Sequence, residues 1–310
     1  MRSMRCIRKT GTFRHACGPL SIFWLVNLAA HHLGTVEMAS SVWLNLPVIG
    51  FGEWPEGEQS VWIDSKEFTL CPLKKTYQAS IHIDLQKERI PMPDAITLIN
   101  SFLSHLSWCS GQAYWTTNGF SGGVVKSANF EREQRMLFSG CLGGFPDYFE
   151  LSNEPVVKNA LAFYRHGKIA EHYSLADACL SYYKILEIVK KIDGWRKLDK
   201  FISDEIDHIS SLNRRSMDFI KKRSQEMEIS PSKYLFQEIR NQAAHYVEDS
   251  SVNLDDEREN EIFKYAISPM HDLAHRLIQD KLNTDDYIYE FAYQKNSLKF
   301  FEEQQNSPRK

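Results

Sequence analysis

The chain has no Cys-x-x-Cys pair, no apolar run long enough to span a bilayer and no excess of positive charge. Its six cysteines, Cys6, Cys17, Cys71, Cys109, Cys141 and Cys179, stand far apart. That spacing argues against the common zinc and dithiol motifs and predicts reduced thiols in a cytoplasmic protein rather than a disulfide framework. With 37 Lys and Arg against 40 Asp and Glu, the net charge is −3, so no overall basic field marks a nucleic-acid binder. What is present is apolar substance. A chain of 310 residues that is 43% hydrophobic and 12% aromatic can bury a substantial core, and its length suits two domains.

The first 37 residues differ from the rest: Arg2, Arg5, Arg8, Lys9 and Arg14 against Glu37 make +4, which leaves −7 on the remainder. Basic residues followed by the apolar run from Pro19 to Ala30 imitate a secretory signal, yet Asn27 interrupts the run and no small-x-small cleavage site ends it. The run is also too short to cross a membrane. Met38 is therefore the expected start and residues 1–37 a leader upstream of it, with a signal or anchor and a disordered arm as the alternatives.

Over residues 38–151 the periodicity is mostly two. Ala79-Ser80-Ile81-His82-Ile83-Asp84-Leu85 alternates as a half-buried strand does, which puts His82 toward solvent, and residues 61–63, 68–70 and 113–115 predict further short strands. Pro93 and Asp94 open one helix with Ile96, Ile99, Leu103 and Leu106 on its apolar face, and Gly111 ends it. The glycine clusters at 119–123 and 140–144 lack the spacing and the Lys of a nucleotide loop and predict flexible turns.

Near Asn153 the period changes to that of helices. Asn153-Glu154-Pro155 caps a helix expected to stop at Gly167, and Ser174-x-x-Asp177 opens the next in capping-box style. That second helix carries Leu175, Ala178, Tyr182, Ile185, Val189 and Ile192 at three-four spacing, the stripe of a helix packed lengthwise. Residues 196–229 are helical in composition, and the cations Arg214, Arg215, Lys221, Lys222 and Arg223 among them, diluted by Asp218, Glu226 and Glu228, read as a solvated face. Ser230-Pro231-Ser232 then opens one further helix to Val247. On it Leu235, Ile239 and Ala243 form a buried stripe, Asn241 and His245 share a neighbouring face, and Arg240 lies between the two.

Asn253-x-x-Asp256 caps a last long helix with the seam Phe263, Ile267, Met270, Ala274 and Leu277, in which Pro269 predicts a kink or break. His271 and His275 lie four apart without an evident third ligand, so they read as an ordinary helix face. The expected fold is α+β: a leader 1–37, a small α+β domain 38–151, an all-helical bundle 153–283 and a polar extension 284–310.

Arg240, four residues, then His245 is the most specific pattern in the chain. Arg8 to His15 and Arg165 to His172 fit a looser version, but only the first is followed by Asn241, by the small Ala243 and Ala244, and by long helices on either side. This stretch, together with Tyr182-Tyr183-Lys184-Ile185-Leu186-Glu187, resembles the Apea-like branch of the HEPN superfamily (higher eukaryotes and prokaryotes nucleotide-binding domains). The resemblance covers the second half only. It implies a helical bundle that forms a homodimer, and a metal-independent endoribonuclease of toxin or defence type acting on RNA, with a neutralising partner protein and without cofactor, metal or membrane.

In that picture His245 is the acid or base, Arg240 the phosphate clamp and Asn241 an orienting partner, with Glu187 approaching them from the earlier helix. The second expectation is a non-catalytic RNA- or nucleotide-binding or dimerisation module in which Arg240 and Asn241 hold helices together. Over residues 154–283 there are 20 Lys plus Arg and 22 Asp plus Glu, so this half has no charge bias toward RNA. The chain also bears a faint likeness to a methylamine-utilisation accessory protein of similar size.

Overall fold

Val61, Ile63, Phe68, Leu70, Ile81 and Ile83, spaced by two along their strands, build the first half into a sheet. In a computed structural model that describes residues 42–117, 121–123, 126, 130, 140–142, 145–244 and 261–282, the strands are β1 (Trp43–Gly50), β2 (Glu53–Pro55), β3 (Gln59–Ile63), β4 (Lys66–Cys71) and β5 (Ser80–Asp84). After helix α1 (Met92–Ser110) come β6 (Tyr114–Thr116), β7 (Ser121–Gly123), β8 (Gly140–Leu142) and β9 (Tyr148–Phe149). The described residues fall in one compact unit, Ser41–Lys310. The sequence readings on the leader, the C-terminal extension, the Asn253-x-x-Asp256 cap and His245 lie outside the described residues.

The sheet runs β6-β1-β5-β4-β3-β9, with β7 also pairing β1. β1, which periodicity did not reveal because Pro47 interrupts its sequence, pairs with three strands: Trp43–Pro47 with β5, Val48–Gly50 with β6 and Trp43–Asn45 with β7. The glycine clusters predicted as turns instead contribute β7 and β8, the latter parallel to β2. Small residues there let the backbones pair.

His82 does not face solvent. Every residue of β5 is buried, Ile81 and Ile83 in the apolar core and Ser80 and His82 on the other face, where Phe130 stacks 6.4 Å from the imidazole. Alternation in sequence therefore separates two covered faces, one apolar and one polar, and not inside from outside.

α1 begins with Pro at its first positions and ends at Gly111, whose φ of 66° is the left-handed conformation that glycine adopts without strain. Ile99, Phe102, Leu103 and Leu106 cover the sheet, and Phe102 meets Phe149 edge-on at 5.0 Å. One turn later Trp108 belongs to the second core, that of the helices. α1 thus carries side chains of both cores.

The helices are α2 (Pro155–Ala170), α3 (Leu175–Asp193), α4 (Trp195–Leu212), α5 (Arg214–Glu226), α6 (Pro231–Lys233), a π-helical turn (Tyr234–Glu238), α7 (Ile239–Ala244) and α8 (Glu261–Leu282). The fold is α+β, as the change of period predicts. Ser174 caps α3 by accepting from the Asp177 amide, and Ala178, Tyr182, Ile185 and Val189 are buried as their spacing requires, whereas Ile192 is exposed.

Three helical expectations are corrected. α2 passes through Gly167, because the missing side chain there is filled by the ring of Tyr182. The helix after Ser230 is not a single regular one but contains the π turn. α8 continues through Pro269, which is buried, with its seam Phe263, Met270, Ala274 and Leu277 inside the core. Proline removes the amide that would have served the Tyr265 carbonyl and crowds that carbonyl, and the helix nevertheless runs on, so of the kink or break expected there the break is excluded. Among the described residues no helix is long and apolar enough to cross a membrane.

Candidate functional site

Tyr183, Glu187 and Lys190 come to one side of α3 because residues three and four apart share a helix face. The segment opened by Ser230, whose hydroxyl accepts from the Lys233 amide, supplies Phe236, Arg240 and Asn241 against them. The π turn lies immediately before α7, and π turns within helices occur often at functional sites. With that turn in place Leu235 and Ile239 are both fully buried, so the segment is anchored by its apolar stripe while Arg240 stays half-buried and Asn241 exposed.

Aromatic packing fixes this corner. The Phe236 ring lies 5.0 Å from Tyr183 and 4.5 Å from Trp195, and Lys190 Nζ stands 4.9 Å over Phe236, a cation on a ring face. Burial raises the Tyr183 phenol above the ordinary tyrosine range, the Glu187 carboxylate raises it further, and Arg240 opposes both. Lys184 Nζ donates to Glu187 Oε2 at 2.8 Å, so the carboxylate pairs with the lysine three residues before it and not with Lys191. Arg240 Nη1 donates to Asn241 Oδ1 at 3.2 Å.

Of the residues singled out from sequence, Arg240 and Asn241 are thus adjacent and hydrogen-bonded to each other, and Glu187 stands on the face of α3 that carries Tyr183, with Lys184 as its partner. His245 lies outside the described residues. Tyr183 was missed, although it stands four residues before Glu187 and so on the same helix face.

Two further polar chains run through the protein. On the covered polar face of the sheet, Ser80 Oγ and His82 Nε2 are 2.8 Å apart and His82 Nδ1 and Asn45 Oδ1 2.7 Å apart. Burial first, and the Lys126 charge second, pull the His82 imidazole down to about 4, so at neutral pH it is uncharged. Ser80 is fully buried and can meet no substrate, so this serine, histidine and asparagine serve to join β1 to β5.

In the bundle, the Tyr164 hydroxyl meets His271 Nε2 at 2.6 Å, His271 Nδ1 meets Asp272 Oδ1 at 3.0 Å and Asn213 Nδ2 donates to Asp272 Oδ2 at 2.5 Å. His275 stacks on Trp108 with ring centres 5.2 Å apart. On this helix face the two histidines and Asp272 join α8 to α2, α1 and the start of α5. Among the described residues no three His, Cys, Asp or Glu side chains gather as metal ligands. The looser Arg165 to His172 pattern is structural as well. Arg165 Nη1 donates to the Asn100 carbonyl and side-chain oxygens at 3.1 Å each, and His172 stacks 3.7 Å from Phe51.

Fold and site together define an α+β protein whose helical part presents an arginine, an asparagine, a tyrosine and a glutamate where α3 meets α7. The family described as methylamine utilization protein MauJ matches residues 160–279, well under half of the chain and within its helical part. No curated protein and no solved structure matches.

Proposed function

We propose that the helical part is a HEPN-type domain of the Apea-like kind, and that it cleaves RNA without a metal ion. The observation that carries this reading is that Arg240 and Asn241, bonded to each other, stand on the segment whose Phe236 packs on Tyr183, so that they come to the face of α3 that holds Glu187. Internal cleavage of RNA needs a group that takes the proton of the ribose 2′-hydroxyl, a group that protonates the leaving 5′-oxygen, and a cation for the charge that builds on phosphorus. The attacking oxygen belongs to the RNA, so the chemistry requires no metal-bound water.

His245 supplies the proton transfers, Arg240 holds the phosphate through its planar fork, and Asn241, bonded to that guanidinium, orients it. The 2′-oxygen bonds to phosphorus as the bond to the 5′-oxygen breaks, leaving a 2′,3′-cyclic phosphate and a 5′-hydroxyl. Two copies of the chain face one another across the motif helices, so that two His245 and two Arg240 line one cleft. A toxin or defence role in the cytoplasm, held in check by a neutralising partner protein, completes the reading. The free thiols Cys71, Cys109 and Cys179 suit a reducing compartment.

The even charge of residues 154–283, 20 Lys plus Arg against 22 Asp plus Glu, favours a second reading, a non-catalytic RNA- or nucleotide-binding or dimerisation module, since a fold does not fix an activity. The two are separated by one experiment. Purified protein is incubated with single-stranded RNA in the presence of a chelator. Under the first reading it cleaves and leaves cyclic phosphate ends, His245→Ala abolishes cleavage while remaining folded, and Arg240→Lys impairs it. Under the second reading wild type does not cleave, and His245→Ala lowers the melting temperature or dissociates the dimer. Cleavage that survives in His245→Ala overturns the site, and cleavage lost in chelator overturns the mechanism.

A further inference from the structure

We propose that Arg215 and Arg223, each held over one ring of the stacked pair Phe219 and Tyr265, grip the phosphate backbone of single-stranded RNA along the outer side of α5. The surface is separate from the Arg240 segment, and its chemistry, a cation meeting a phosphodiester, needs no cleavage. The choice of RNA as the occupant rests on the nuclease reading.

Arg215, Phe219 and Arg223 recur every four residues, so they form one line along α5. Met217, Ile220 and Ser224 are buried and turn the other side of the helix to the core. Phe219 packs on the edge of that core and stacks on Tyr265 of α8, with ring centres 4.4 Å and planes 25° apart. The Arg215 guanidinium carbon lies 5.5 Å from the centre of the Tyr265 ring, and that of Arg223 lies 5.5 Å from the centre of the Phe219 ring. Each ring thus meets the other ring and one guanidinium.

An arginine on an open helix face samples many rotamers, and binding has to freeze them. A ring beneath the guanidinium removes part of that freedom beforehand and leaves open the N–H edge that engages two phosphate oxygens at once. Both arginines are exposed. Arg223 Nη1 donates to Glu226 Oε2 at 3.2 Å, but the two side chains are 52% and 47% exposed, so this pair is weak and readily exchanged for a phosphate.

The local charge suits a polyanion. From Arg214 to Glu226 five Lys and Arg stand against two Asp and Glu, 5 − 2 = +3, although residues 154–283 as a whole carry no such excess. α5 also packs on the π turn that leads to Arg240, which puts this surface beside the proposed cleft. Protein partners are anchored chiefly by aromatic or apolar side chains in pockets, and bases stack on open rings. Here each ring already carries a guanidinium, so what faces outward is a row of N–H edges. Those read phosphate and carry no sequence information.

Binding is measured by fluorescence anisotropy with a labelled 2′-O-methyl oligouridine, which lacks the attacking hydroxyl and is not cleaved, over a series of salt concentrations. Wild type binds it, and 2′-O-methyl oligoadenosine equally well. Replacing both arginines, Arg215→Gln with Arg223→Gln, weakens binding by roughly tenfold or more at low salt and lowers the slope of log affinity against log salt by about 1.4, because each contact to a single strand contributes about 0.7. Arg215→Lys with Arg223→Lys keeps the slope and still binds several-fold more weakly, because the charge remains and the fork is lost. Melting temperatures stay close to wild type in both.

No binding by wild type, or a glutamine variant with wild-type affinity and slope, overturns the proposal. A lysine variant equal to wild type overturns it as well, since the held guanidiniums then add nothing to bare charge. Binding of polyglutamate in place of RNA, lost in the glutamine variant, assigns the surface to an acidic protein instead and equally overturns it. Wild type that binds the uncleavable oligomer and leaves ordinary RNA intact defeats the nuclease reading alone, whereas cleavage by wild type with unchanged binding in the glutamine variant defeats this surface alone.

Discussion

Gly167 of α2 lies so close to Tyr182 of α3 that a Cβ placed on it would stand 2.5 Å from Tyr182 Cε1. Tyr182 cannot swing aside cheaply, because it is fully buried and its hydroxyl donates to Glu171 Oε1 at 2.5 Å. Replacing glycine by alanine inside a helix ordinarily gains about 1 kcal/mol, while overpacking a close-fitted site costs about 1–3 kcal/mol. Gly167→Ala is therefore expected to lower the urea midpoint without changing the slope of the transition. A midpoint above wild type would mean that α2 and α3 pack less closely than this contact requires.

His82 makes stability depend on pH. The folded imidazole titrates near 4 and the unfolded one near 6.5, so between those values the unfolded chain binds the extra proton. Stability from this residue is present above about 6.5 and is lost as pH falls toward 4, an effect on the order of 3 kcal/mol at most. Urea unfolding at neutral pH and at pH 5 checks it: wild type loses more stability between the two than His82→Gln does. Equal losses would show that His82 is charged or exposed in the folded state.

The Tyr164 to His271 hydrogen bond, 2.6 Å between α2 and α8, predicts a coupling that single substitutions cannot reveal. Tyr164→Phe leaves the imidazole without its donor and is expected to cost about 1–3 kcal/mol. In a double-mutant cycle with His271→Gln the two costs fall short of adding, by about 0.5 kcal/mol or more. Full additivity measured by chemical denaturation would refute the bond.

Assembly follows from the proposed chemistry. If the motif helix contributes half of a composite cleft, the protein is a homodimer with a two-fold axis near Arg240, since an isologous interface brings the same patch together twice. Light scattering at working concentrations checks this. A monomer would count against the nuclease reading as stated, because one copy supplies only half of the groups.

Much of the local structure was legible in the sequence because it depends on neighbours in the chain. Ser174 and Ser230 cap helices through bonds to the amides three residues on, and Pro155 and Gly111 punctuate helices through their own backbone preferences. The alternation at residues 61–63 and 80–84 is likewise a local signal that became β3 and β5. At the candidate site, the Arg240-Asn241 pair could be singled out because both residues lie in one short motif.

What escaped was decided by contacts between distant segments. β1 carries a proline and no clean alternation, and it is a strand because β5, β6 and β7 pair with it. His82 is inside because Asn45 and Ser80 satisfy its nitrogens and Phe130 covers it. His271 and His275 read as an ordinary helix face, and which partners that face has, Tyr164 and Trp108, was set by other helices.

The sequence by itself determined the class of the fold and where the helices opened by Pro93, Pro155, Ser174 and Ser230 begin, since periodicity, caps and backbone restrictions act over a few residues. Only the tertiary structure decided that Tyr183 of α3 packs on Phe236, one turn before Arg240. The two segments lie more than fifty positions apart, and burial of their apolar side chains in one core, which no local pattern encodes, brings them together.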